Sequence, residues 1–138
     1  MTVETTKKVL VIDDDDDLRN LLGMFLNMMA GYEVYQACHG EDGKEQLQTL
    51  TPDLIILDMM MPVLDGMGFL RWLRQEAKLD IPVLALTGRS KDDTKTTVLE
   101  LGATGIEFKP CDPEKIVERA QTMLTLSGVQ GEPCTKAR

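Results

Sequence analysis

Positive charge is scarce in this 138-residue chain, where 15 Lys and Arg stand against 23 Asp and Glu for a formal net charge of −8 at pH 7. Nucleic acids are held mainly by cations placed on their phosphates, so direct nucleic-acid binding by this domain is not expected. No apolar run approaches the roughly 20 residues that a helix needs to cross a bilayer, which argues against membrane insertion. The opening residues lack the cationic, apolar and small-residue segments of a signal peptide. Cys38, Cys111 and Cys134 leave one thiol over even if two pair, and no two have metal-ligand spacing. A reduced, cytoplasmic compartment is the expectation. The single histidine, His39, has no ligand-spaced partner and reads as a surface residue. Internal repeats, low-complexity stretches, a helix-turn-helix, a nucleotide loop and any output-enzyme motif are all missing from the sequence.

The chain does contain the makings of one globular domain, with 43% hydrophobic and 28% charged residues. Lys8 to Ile12 and Leu54 to Leu57 are nearly continuous in apolar character, as strands covered on both faces are. Glu33 to Ala37, Pro82 to Thr87 and Ile106 to Phe108 read as three more strands. Between them lie helical patterns. The first carries Leu18, Leu21, Leu22, Phe25 and Leu26, opens on the acidic residues Asp15 to Asp17 and ends at Gly31. The spacing predicts further helices over 41–50, with Leu47 and Leu50 inward, over 67–76, with Phe69, Leu70 and Leu73 inward, and over 92–101. Pro113 opens a terminal helix carrying Ile116, Val117, Ala120, Met123 and Leu124. Strands alternating with helices over short connections predict an α/β three-layer sandwich with a parallel sheet. Residues 1–7 read as an N-terminal extension, 8–127 as the domain, and 128–138 as a flexible tail or truncated linker.

Open parallel sheets bind ligands beyond the carboxyl ends of their strands. Asp13, Asp14, Asp58, Thr87 and Lys109 all stand at such ends. Carboxylates brought together repel unless they take up protons or share a cation. A hard divalent ion suits them, and Mg²⁺ is the usual choice for carboxylates combined with a phosphoryl oxygen. Asp58 then becomes a candidate nucleophile toward phosphorus, with Lys109 and the Thr87 hydroxyl facing the transferred oxygens. Each residue also has a plainer reading. Asp13 to Asp17 can be a solvated helix cap, Thr87 an end-of-strand residue and Lys109 a surface lysine.

The stretches VLVIDDDDDLRNLL, PDLIILDMMMPVLDG, PVLALTG and EFKP, taken together and in order, resemble the receiver domain of two-component response regulators. The resemblance covers about Lys8 to Leu126. It implies a doubly wound, five-stranded parallel sheet of order 2-1-3-4-5, the flavodoxin-like or CheY-like arrangement. It also implies Asp58 as phosphoacceptor and metal ligand, Asp14 as a direct Mg²⁺ ligand, Asp13 as a ligand mainly through water, and the Met60 backbone carbonyl as a further ligand, with Mn²⁺ as the alternative ion. Thr87 and Lys109 would hold phosphoryl oxygens, and Lys109-Pro110 would be the family's cis peptide. The implied partners are a cognate sensor histidine kinase or phosphotransfer protein, meeting the first helix near Leu18 to Leu22, and a downstream protein target or missing output domain. A homodimer is a further arrangement open to such a domain.

The chain departs from the family's pattern at Ile106, where an aromatic switch residue is usual. The aliphatic side chain reads as a packed strand residue, which puts the usual threonine-to-aromatic relay in doubt. Met60 offers no general base, so slow self-dephosphorylation is expected. Gly88 leaves room beside the pocket, and Arg89 faces either the phosphoryl group, a kinase or solvent. Met59, Met60, Met61 and Met67 read as loop packing. Cys111 reads as a small buried hydrophobe. Trp72 either faces a partner or covers the sheet. Two other functions compete with the phosphoryl-accepting switch. An Asp-nucleophile phosphatase would want an acid/base aspartate where Met60 stands, and an unphosphorylated receiver-like interaction protein would leave the pocket unused. The switch itself would be catalytic only toward its own phosphoryl group, with no diffusible substrate.

Overall fold

The computed structural model describes residues 6–60, 65–88, 92–109 and 112–129. Strands β1 (Lys8–Ile12), β2 (Glu33–Ala37), β3 (Leu54–Asp58), β4 (Val83–Thr87) and β5 (Gly105–Phe108) alternate with helices α1 (Asp16–Ala30), α2 (Gly40–Gln46), α3 (Gly66–Arg71), α4 (Asp92–Glu100) and α5 (Pro113–Val129). All strand pairings are parallel, and the sheet order is β2-β1-β3-β4-β5. The expected doubly wound topology is therefore the one observed.

Successive strand residues point to opposite faces, and here both faces are covered. Leu10, Ile12, Ile55, Leu57, Val83 and Ala85 pack with Phe69, Leu70 and Leu73 of the α3 region and Val98 of α4. Val9, Val11, Leu54, Ile56, Leu84 and Leu86 pack with Leu22 and Leu26 of α1 and with Ile116, Val117 and Ala120 of α5. Continuous apolar runs follow from this arrangement, because every residue of β3 and β4 is buried.

Helix ends obey local chemistry. The Asp15 carboxylate accepts from the N–H groups of Asp17 and Leu18 at the start of α1, and Gly31 closes that helix with φ of 73°, a left-handed conformation that costs glycine little. Two predicted helices differ from expectation. α2 stops at Gln46 rather than 50, its last turns tightening into Gln48 N–H to Glu45 O and Thr49 N–H to Gln46 O bonds. Leu47 still packs on the core, while Leu50 is half-buried. The helix predicted over 67–76 is α-helical only from Gly66 to Arg71 and then widens into a π-helical turn, Trp72–Glu76, closed by Ala77 N–H to Trp72 O at 2.9 Å. α5 continues through Gly128 to Val129, into the segment read as tail.

Trp72 covers the sheet rather than standing free. It packs on the core, lies 5.7 Å from the Phe69 ring between centroids, and carries Lys44 Nζ 5.1 Å from its own centroid.

Candidate phosphoacceptor site

Strand register decides which side chains meet. Ile12 pairs with Leu57, Asp58 with Leu86, and Thr87 with Phe108. Asp13, the residue after Ile12, therefore stands across from Asp58, and Lys109 follows the residue paired to Thr87. Backbone bonds continue the ladder past the strand ends: Met59 N–H donates to Leu86 O at 2.9 Å and Lys109 N–H to Thr87 O at 2.7 Å. The four strand ends form one rim.

Among the described residues, the buried polar side chains are Asp13, Asp58 and Thr87, each at most 2% exposed. Burying such groups is costly unless they are paired, so all three sitting on one rim is a chemical arrangement and not a packing one. One carboxylate oxygen from each of Asp13, Asp14 and Asp58 lies within 4.8 Å of the others. Lys109 Nζ lies 3.2 Å from Asp58 Oδ1 and 3.9 Å from Asp13 Oδ2. Asp58 Oδ1 also accepts from the Met60 N–H at 3.1 Å. Asp13 Oδ1 accepts from the Asp15 N–H at 2.9 Å, whereas Asp13 Oδ2 is buried without a hydrogen-bond partner among the described residues.

Removal from water pushes the Asp13 carboxyl up to about 7; the Asp58 charge adds to this, and the Asp15 N–H and Lys109 oppose it only in part. Among the described residues, one ammonium faces two buried carboxylates, which leaves them short of positive charge. Both the orphaned Asp13 oxygen and the oxygen-only donor set suit a hard divalent cation. The residues present fit such an ion, and its identity is not fixed by them.

Met60 is exposed at the mouth, and among the described residues nothing lies within 4 Å of where a Gly88 Cβ would stand. Ile106 is buried with Val98 of α4 and Ala103, which agrees with its reading as a packed strand residue. In the 18–22 segment, Leu21 is exposed, Leu18 half-buried and Leu22 buried. Met59 is buried in the core and Met67 packs against it. Arg89, Met61, Pro110 with the expected cis peptide, Cys111 and Cys134 lie outside the described residues.

Sequence reasoning missed two supports. Gly66, read only as loop punctuation, approaches the site so closely that a Cβ there would lie 2.5 Å from Met59 Cα and 2.9 Å from Asp58 O. His39 caps α2, its Nδ1 accepting from the Asp42 N–H at 3.1 Å. A polar residue three positions ahead of Asp42 was a legible capping signal.

Residues 9–121 match the response regulator receiver domain family model. The chain is 39% identical over 123 residues to the alkaline phosphatase synthesis transcriptional regulatory protein PhoP of Bacillus subtilis, covering 89% of this chain and 50% of that protein. It is 41% identical over 118 residues to the probable transcriptional regulator ycf27 of Cyanophora paradoxa, covering 86% and 48%. It thus spans about half the length of these curated relatives. Among solved structures, chemotaxis protein CheY4 of Vibrio cholerae superposes with a TM-score of 0.78 at 32% identity, over 86% of this chain and 98% of that one. With sheet order, rim and sequence in agreement, the chain belongs to the response regulator receiver domain family.

Proposed function

We propose that this domain accepts a phosphoryl group on Asp58 from a phosphohistidine donor and switches its affinity for a target or output domain. The observation that carries the proposal is the convergence of Asp13, Asp14 and Asp58 with Lys109 Nζ 3.2 Å from Asp58 Oδ1. An Asp58 carboxylate oxygen attacks phosphorus in line with the donor nitrogen. The new O–P bond forms as the P–N bond breaks, and the electron pair returns to the donor imidazole. Lys109 and the Thr87 hydroxyl take the phosphoryl oxygens, and Asp13, Asp14, Asp58 and the Met60 carbonyl would hold Mg²⁺, or Mn²⁺ in its place. A bound divalent ion supplies charge neutralisation as the phosphoryl group approaches a carboxylate rim.

Residues 8–127 make up the receiver unit in this reading. Its donor is a sensor histidine kinase or phosphotransfer protein in the cytoplasm, and its output is a separate protein or a further domain. Phosphorylation replaces the singly charged Asp58 carboxylate by an acyl phosphate carrying about 1.5 to 2 negative charges and sets three phosphoryl oxygens at the rim, a change of charge and shape that biases a two-state surface. With Ile106 packed in the core, the bias would travel through Thr87 and α4 without an aromatic rotation. The exposed, base-free Met60 favours slow loss of the phosphoryl group and speaks against a turnover phosphatase.

Incubation with a small phosphodonor and Mg²⁺ should label the wild type, and Asp58→Asn should abolish the label. An acid-stable label persisting in that variant overturns the assignment, and no label in the wild type with any competent donor favours an interaction protein with an unused pocket.

A further inference from the structure

The geometry points to Arg19 as the positioning residue of the acidic rim. This inference rests on the phosphoacceptor reading and adds a residue to it. Arg19 sits in the first turns of α1, with only 13% of its side chain exposed, and its guanidinium ties three elements together. Nη1 donates to the Asp13 backbone carbonyl at 2.7 Å, Nε to Gln36 Oε1 on β2 at 3.0 Å, and Nη2 to Asp16 Oδ1 at 2.5 Å.

Asp13 is consequently held from two sides. Its side chain is fixed by the Asp15 N–H, and its main chain by Asp13 N–H to Ala37 O at 3.1 Å together with the Arg19 bond to its carbonyl. Asp13 is followed by four exposed aspartates, Asp14 to Asp17, which repel one another across this turn. Left to itself, the loop would relax by spreading its carboxylates apart. A planar guanidinium with five donors in a fixed fork resists that spreading. A lysine ammonium, which is a point charge on a flexible stem, cannot bridge the same three acceptors in one geometry.

Position and charge make opposite predictions, so they can be separated. Arg19 brings a positive charge close to a cation site. If it acted only through its field, removing it would tighten divalent-ion binding. If it acts by holding Asp13 and Asp14 in place, removing it weakens binding despite the more negative surroundings. Groups that orient metal ligands typically contribute roughly 10- to 100-fold in affinity.

The test is calorimetric titration of the whole chain with Mg²⁺ alone, at a temperature where circular dichroism shows each variant folded. Thermal unfolding in chelator is measured alongside. Arg19→Met is expected to lose roughly tenfold or more in Mg²⁺ affinity, and Arg19→Lys to lose most of that despite keeping the charge. Gln36→Leu, a milder change at an exposed position that removes one brace, is expected to lose less and serves where Arg19→Met does not fold. Affinity that is unchanged or tighter in the folded variants, with only the metal-free melting temperature lowered, overturns the positioning role while leaving the phosphoacceptor reading intact. A wild-type chain that takes up no Mg²⁺ overturns both.

Discussion

At Asp13, burial works against ionisation, and a nearby carboxylate adds to the effect, so the group keeps its proton to about pH 7 instead of the ordinary 3.8. The sign of the stability effect follows from linkage. Between those two values the folded state holds a proton that the unfolded state has released, and stability falls as pH rises wherever the folded state binds more protons. The contribution of Asp13 to the stability of the metal-free protein is therefore most favourable below about pH 4 and is lost progressively as pH climbs to about 7. Urea midpoints in chelator, measured for wild type and Asp13→Asn across that range, should show the wild type losing ground to the variant as pH rises. A constant difference would contradict the buried, proton-holding carboxyl. Asp13 was legible in the sequence because an aspartate ends a buried strand. Arg19 and Gly66 were not, because their roles depend on acceptors and backbone brought in by other segments: Gln36 from β2 for Arg19, and the Asp58–Met59 backbone for Gly66.

Strands were the most legible elements, since a run buried on both faces leaves an unbroken apolar signature, and Lys8–Ile12 and Val83–Thr87 lie where their composition put them. Helix interiors were harder. A π-helical turn keeps the same apolar residues as an α-helix while shifting their registration, so Leu73 reads as core in either case. Within that widened turn, Arg74 donates through Nε and Nη2 to Gly102 O at 3.0 and 2.9 Å and through Nη1 to Leu79 O at 2.6 Å. It thereby fastens the α4–β5 connection, where Gly102 has φ of 113°, to the end of the α3 segment. Burial lowers the Arg74 pKa from its usual value, with Asp80 opposing. Arg74→Met keeps the stem and strips the donors from two carbonyls. A loss of about 2–3 kcal/mol is expected from chemical denaturation, in the range for hydrogen bonds to charged groups. A loss under about 0.5 kcal/mol, the level of an ordinary surface change, would mean that the fastening contributes little.

Across the whole molecule, the acidic rim draws on β1, β3 and β5 and on the loop before α1, so a cation that binds it stabilises elements remote in sequence. Anything that binds only the folded state adds RT ln(1 + [L]/Kd), about 2.7 kcal/mol at a hundredfold excess over Kd. Mg²⁺ should accordingly raise the melting temperature by several degrees, a chelator should reverse the gain, and Asp58→Asn should reduce it. An equal gain in that variant would place the ion elsewhere. The chain order of the elements revealed the sheet topology because short alternating connections leave few alternatives. The convergence of side chains at the rim needed register as well, and register is a property of paired strands that no single segment displays.

β5 is a four-residue strand at the margin of the sheet, bonded to β4 alone, and it delivers Lys109. The ammonium is thus mounted on a segment with a neighbour on one side only, whereas Asp13 and Asp58 come from strands flanked on both sides. Peeling this border strand away would strip the counter-charge from Asp58 and leave the carboxylates standing. Any molecule that clamps or loosens that border acts on the nucleophile's electrostatics without ever touching it.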